Sequence, residues 1–293
     1  MAWIKWLVFV LVALGLVIAA LAAYGMLRWN ASTRALLARL EAARVPPTPV
    51  RYEAARELEG LPAPVQRFFR TVLVDGQPIV AAVRLEHTGI FNLAAEGADQ
   101  WKPFTSTQRT VTRRPGFVWD GRISVMPGLA VHVHDAYVAG EGILRPAVMG
   151  LIALTDVRGT GAEPGGIAQG ELLRYLAEAA WYPTALLPSQ GVRWTAVDDH
   201  SAQATLSDGP VSATLLFRFD PQTAVIDAVR AEARGRTVGG SVVMTPWEGR
   251  WSNYSERDGM RVPTGGEVAW LTAEGRKAYW RGTVTSLRYE YAH

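Results

Sequence analysis

The side chains best equipped for chemistry are His132, His134 and Asp135, which stand together in the string His-Val-His-Asp. On a strand, residues two apart share a face, so both imidazoles would point one way and Asp135 the other. Two imidazoles can form part of a zinc or iron site. A metal needs a third and usually a fourth ligand, and the neighbouring sequence supplies none, so no metal is expected and His132 and His134 stand only as its candidates. A metal-assisted hydrolase built on that pair is the enzymatic alternative. His87 sits on the apolar side of an alternating stretch, where a core histidine with one hydrogen bond is a simpler reading than a pocket base. Asp120, Asp135, Glu141, Glu248 and Glu267 are candidates for paired acid and base work. They lie among arginines and glycines at strand positions, where an ion pair or a solvated face is the commoner fate. Glu171, Arg174 and Glu178, spaced three and four apart, read as the wet face of a helix.

Other chemistries are excluded more firmly. No Gly-x-Ser-x-Gly elbow or Walker loop is present, and the glycine-rich stretch 159–170 has no lysine to cradle a phosphate, so no cofactor is expected and no catalytic residue can be named. The absence of cysteine removes disulfides, thiolate metal sites and cysteine nucleophiles together. The formal charge is only +3, with 30 basic against 27 acidic residues interspersed. No basic stripe follows from that pattern, and a nucleic-acid partner is not expected.

The elements that must position these residues begin with a charge-free run at residues 6–27, fenced by Lys5 and Arg28. As a helix it reaches roughly 33 Å, enough to cross a hydrocarbon core of about 30 Å. Trp3, Trp6, Tyr24 and Trp29 bracket it, as aromatic rings do at the two headgroup layers. A retained anchor is favoured over a cleaved signal peptide, whose apolar core is usually shorter, although Ala20-Leu21-Ala22 offers cleavage-like spacing. Leu36, Leu37 and Leu40 then share a face of an amphipathic juxtamembrane helix, and Pro46-Pro47-Thr48-Pro49 stops it with a stiff spacer. The expected organisation is an anchor at 1–28, this connecting segment at 29–50, and one β-rich domain at 51–293.

Within the domain, Pro62 and Pro64 start a helix carrying Val65, Phe68, Phe69, Val72 and Leu73 on one side. The period then changes to two, as at Val83, Leu85 and His87, or Phe117, Trp119, Ile123 and Val125. The run 147–154 is a buried strand or a short helix. A second amphipathic helix carries Leu172, Leu173, Leu176 and Ala180 and must end by Tyr182, before Pro183. The last hundred residues read as a meander whose turns include Asp208-Gly209 and Asp258-Gly259. Eight to eleven strands with a few helices give a mainly β fold: a curved antiparallel sheet or incomplete barrel, helices on its concave side, preceded by one transmembrane helix. Trp101, Trp119, Trp181, Trp194, Trp247, Trp251, Trp270 and Trp280 all fall in this part. Such rings fill a core or line an apolar cavity.

Three stretches carry a resemblance: residues 61–69 (LPAPVQRFF), 170–188 (GELLRYLAEAAWYPTALLP) and 245–270 (TPWEGRWSNYSERDGMRVPTGGEVAW). They resemble a bacterial family of conserved proteins of unknown function, often with N-terminal membrane helices, and this implies no reaction. At the level of fold, the strand, Asp-Pro turn, strand pattern at 215–231 is similar to periplasmic lipoprotein carriers of the LolA and LolB type, half-barrels around an apolar cavity. This chain departs from them in having no lipobox cysteine. The charge-free run and the tryptophan-rich domain together lead to the expectation of a single-pass membrane protein, anchored in the bilayer through residues 6–27, that binds a lipid-like ligand or an envelope partner without catalysis. A purely structural scaffold is a further alternative. The carrier resemblance favours an exported domain, whereas Arg28, Arg34, Arg39 and Arg44 after the helix favour the cytoplasmic side, which stays open.

Overall fold

In the computed structural model, which describes residues 2–94 and 96–293, the chain forms one long helix and a single large sheet. Helix α1 (Ala2–Ala43) is continuous, so the anchor run and the amphipathic stretch after it are one element. Two short helices follow, α2 (Ala54–Glu57) and α3 (Ala63–Val72). The latter starts at its prolines and buries Val65, Phe68, Phe69 and Val72, as their helical spacing predicts.

The first wing of the sheet is β1 (Val80–Asn92), β2 (Trp101–Val111), β3 (Gly116–Met126), β4 (Leu129–Val138), β5 (Glu141–Val148), β6 (Ile152–Ala153) and β7 (Val157–Gly159). Helix α4 (Ile167–Glu178) and three 3-10 turns between Ala179 and Gln190 then cross to the second wing. That wing is β8 (Arg193–Asp198), β9 (Ser201–Asp208), β10 (Val211–Phe219), β11 (Ile226–Val238), β12 (Ser241–Arg257), β13 (Met260–Thr272) and β14 (Gly275–Tyr291). All pairings are antiparallel, in the order β6-β5-β4-β3-β2-β1-β14-β13-β12-β11-β10-β9-β8, with β7 also on β5. The fold is the curved, unclosed sheet expected, but with 14 strands rather than eight to eleven. The sheet edges are blunted by the two-residue β6, the three-residue β7 and the six-residue β8, which limits edge-to-edge association.

The run 147–154 is neither a buried strand nor a helix. Met149 and Gly150 adopt positive φ and turn the chain into β6, leaving Ile152 and Leu154 exposed. Alternation elsewhere holds: Val211, Ala213, Leu215, Phe217 and Phe219 of β10 are all buried.

The concave face holds α4, which packs against β3, β4, β5 and β7 of one wing and β10 and β11 of the other. Its end at Glu178 and the turns beyond it respect Pro183. The outer face of the first wing is covered by the second half of α1. There Leu36 and Leu40 pack on Val111, Val118, Ala136, Val138 and Ile143. Ion pairs flank the contact, Arg39 to Glu141 at 2.5 Å and Arg109 to Glu41 at 2.7 Å. Trp29, expected at a headgroup layer, is instead buried in this contact.

Candidate functional site

Inside the curved sheet, beneath α4, lies a cavity of about 470 Å³. Its walls come from alternate residues of both wings: Ile123, Val131, Val133, Leu144 and Pro146 from the first, Trp247, Trp251, Val268 and Trp280 from the second. Trp119, Trp181, Phe91 and Tyr279 complete the aromatic lining, so five of the eight domain tryptophans surround the void. Trp194 packs instead in the core with Phe69 and Phe217, Trp101 lies under Arg281, and Trp270 stacks on Tyr279.

The void survives because the rings lie down rather than stand up. In Trp119-Asp120-Gly121 and Trp280-Arg281-Gly282 the ring lies over the glycine two positions on, on the same face. A Cβ there would come within 2.0 Å of the Trp119 ring at Gly121 and 2.2 Å of the Trp280 ring at Gly282. Trp247 lies more loosely over Gly249, 3.3 Å from where a Cβ would stand, and Trp251 lies 2.8 Å from that point at its cross-strand partner Gly266. A recurring Trp-x-Gly on strands is therefore the sequence signal for the wall, since glycine admits a flat aromatic cover.

One patch of the lining is charged. Arg174 of α4 reaches Asp135 of β4 at 2.5 Å and Glu178 at 2.7 Å, while Gln108 of β2 donates to Glu178 at 2.7 Å. The Arg174 guanidinium also lies over the rings of Phe117 and Trp119. Arg234 of β11 lies 3.9 Å from Glu171 and over Trp247. Burial, and then the neighbouring charge of Asp135, raise the Glu171 carboxyl well above the usual carboxylate range. Burial thus favours the neutral form of Glu171, while Arg174 stays ion-paired with Asp135 and Glu178. The reading of Glu171, Arg174 and Glu178 as a wet helical face is thus corrected: they are the buried polar cluster of the cavity.

Residues 59–289 match the model of a family of unknown function, DUF6920. The chain belongs to that family. In this DUF6920 protein the three stretches that carry the resemblance occupy α3, α4 with its following turns, and the β12–β13 hairpin, and the last two line the cavity. No curated protein matches the chain. Similar solved structures include a putative outer membrane lipoprotein-sorting protein domain from Vibrio parahaemolyticus, with 10% identity over 72% of this chain and 86% of that one and a TM-score of 0.39. A LolA superfamily protein from Nitrosomonas europaea has 10% identity over 78% and 92% and a TM-score of 0.34. A DUF1329 family protein from Desulfovibrio piger has 10% identity over 72% and 86% and a TM-score of 0.39. At these scores the likeness is loose, and what the DUF6920 cavity can hold is decided by its own lining.

The remaining sequence candidates lie away from the cavity or behind its wall. His132 and His134 share a face, as alternation requires, but it is the outer one, under α1. The His134 ring stacks on Trp29 with centroids 3.8 Å apart. Trp29 Nε1 donates to Asp120 at 2.9 Å, and Thr33 Oγ1 lies 2.8 Å from both Asp120 and His134 Nε2. Thr33 has one proton; giving it to the carboxylate leaves its oxygen to accept from Nε2–H of a neutral His134. Burial pushes His134 down to about 4, against the pull of Asp120. Among the described residues no group of three or more His, Asp or Glu side chains could hold a metal ion. His87 is buried behind Trp181 and Trp280 with Nδ1 3.2 Å from Ser106, and burial pushes it down to about 3. Glu141 pairs with Arg39, Glu248 with Arg250 and Arg276, and Glu267 with Arg276 and Arg281.

Proposed function

We propose that this DUF6920 protein is a membrane-tethered, non-catalytic binder of a lipid-like ligand, held in the tryptophan-walled cavity. The cavity itself carries the reading: its volume is typical of a small-molecule site, and its lining is apolar except for one ion-paired patch. Each ligand methylene buried there gains about 0.8 kcal/mol, which favours a chain over a compact polar substrate. A hydrolase centred on His132 and His134 gains no support, because both rings are sealed under α1.

The organisation that goes with this function is an anchor at 1–28, a connecting segment at 29–50 docked on the sheet, and a ligand-binding domain at 51–293. Helix α1 is long and apolar enough to cross a membrane. Lys5 before the apolar run fits a signal-anchor with the domain on the exported side. An alkaline phosphatase fused after His293 would be active on that topology and silent on the opposite one. The ligand is tested by native mass spectrometry of the full chain released from lipid nanodiscs. Bound lipid in the wild type, lost in Val268→Trp with the fold retained, is the expected result. Equal, empty spectra for both would overturn the proposal.

A further inference from the structure

The mouth of the cavity and the membrane anchor lie at the same end of the sheet. Register places the β1–β2 loop, the β3–β4 turn and the β5–β6 turn together: Asn92 faces Trp101, Phe104 faces Ile123, Ile123 faces Val131, and Val131 faces Val148. The β5–β6 turn sits directly on α1. A Cβ on Gly25 would fall 2.5 Å from the Met149 carbonyl oxygen and 2.7 Å from Leu151 Cγ, so glycine is what lets the turn seat there. Gly25 belongs to the charge-free run, three positions before Arg28. From this contact α1 follows the outer face to Val45, which donates to Arg113 in the β2–β3 turn at the opposite end, roughly 30 Å along the helix. In the other direction its apolar residues, among them Leu7, Leu11, Leu14 and Ile18, project beyond the sheet fully unpacked.

The loops at this end carry large apolar side chains in the open. Met126 is 59% exposed, Ile152 67% and Leu154 60%. Leu93 and Leu154 are exposed and also line the cavity, which makes them its lip. A turn fixed at the last apolar turn of a spanning helix lies at the boundary of acyl chains and headgroups, where such side chains are favourably buried.

We infer that Leu93, Met126, Ile152 and Leu154 form a lip seated in the adjacent leaflet, so that the cavity opens onto the bilayer and takes its ligand from the membrane lipid beside its own anchor. This rests on α1 spanning the membrane and on the cavity as the ligand site. The occupant of the lip is the lipid surface, because the exposed apolar side chains of these loops adjoin the apolar run where the β5–β6 turn meets Gly25.

The chain has no cysteine, so single Leu154→Cys and Met126→Cys variants of the full-length protein in phosphatidylcholine–phosphatidylglycerol nanodiscs can each carry one environment-sensitive fluorophore. Val45→Cys and Val74→Cys, exposed apolar positions at the far end, are the controls. Lip labels are expected to emit at shorter wavelength and to be quenched by nitroxide-bearing lipids, with the far labels quenched by aqueous iodide instead. Lip labels that behave like the far ones would overturn the inference. Native mass spectra of the same samples separate the two readings. Bound lipid with an unembedded lip defeats the lip alone, whereas an embedded lip around an empty cavity defeats the ligand site and lipid uptake while the membrane contact stands.

Discussion

Strand β4 presents His132 and His134 to one side of the sheet and Val131, Val133 and Asp135 to the other, and the two sides are built on opposite plans. On the outer side α1 packs directly onto the strand, with Trp29 stacked on His134, and Asp120 and Thr33 joined in one hydrogen-bond network. On the inner side α4 stands over tryptophans laid flat on glycines, and space is left beneath it. Both sides bury polar groups, but by different means. The outer side gathers Trp29, Thr33 and His134 around the single carboxylate of Asp120, while the inner side sets guanidinium groups against acidic side chains in ion pairs. A filled contact holds position, and a hollow one with an ion-paired patch is what a ligand site requires.

The contrast is most easily broken at Arg174. Arg174→Met leaves Asp135 and Glu178 buried without their cation and should cost about 3–5 kcal/mol, read from denaturant unfolding of the full chain in detergent. A smaller effect is expected from Gly282→Ala, whose methyl must displace the Trp280 ring. Overpacking of this kind costs about 1–3 kcal/mol. Trp280 lines the void, and a ring displaced into it should lower bound lipid while protection of α1 is unchanged.

The smallest effect near neutrality is the response to pH, and its sign differs between the two sides. His134 has its folded value lowered, so its contribution is complete above pH 6.5 and is lost as pH falls toward about 4. Hydrogen exchange along residues 25–43 should therefore quicken on acidification. Glu171 has its folded value raised, so its contribution is complete below 4.5 and erodes as pH rises. Glu171→Gln should remove that erosion and raise the melting temperature at alkaline pH, leaving it unchanged in acid.

The sheet was legible from alternation and turn residues, because period-two patterning and Asp-Gly turns are local. The extra strands escaped because β6 and β7 are too short to show a period. The charged cluster was misread for a physical reason: charges at i, i+3 and i+7 on a helix look the same whether they meet water or buried counter-charges. The available clue was that Leu172, Leu173, Tyr175, Leu176 and Ala177 apolarise nearly the whole circumference of α4, leaving it no wet side. Trp29 was misplaced because an aromatic ring after an apolar run suits a headgroup layer as well as a protein contact. The wall was half visible, in that the tryptophans were conspicuous but their glycines were not paired with them.

The pairing of β1 with β14 joins the earliest strand of the sheet to the latest at its centre, while both edges, β6 and β8, come from mid-sequence. During synthesis each wing can therefore assemble by neighbour-to-neighbour hairpins, but the seam between them waits for β14. Since the cavity draws its walls from both wings, a growing chain has no complete cavity until that strand arrives. On the proposed function, ligand would thereby enter only finished molecules.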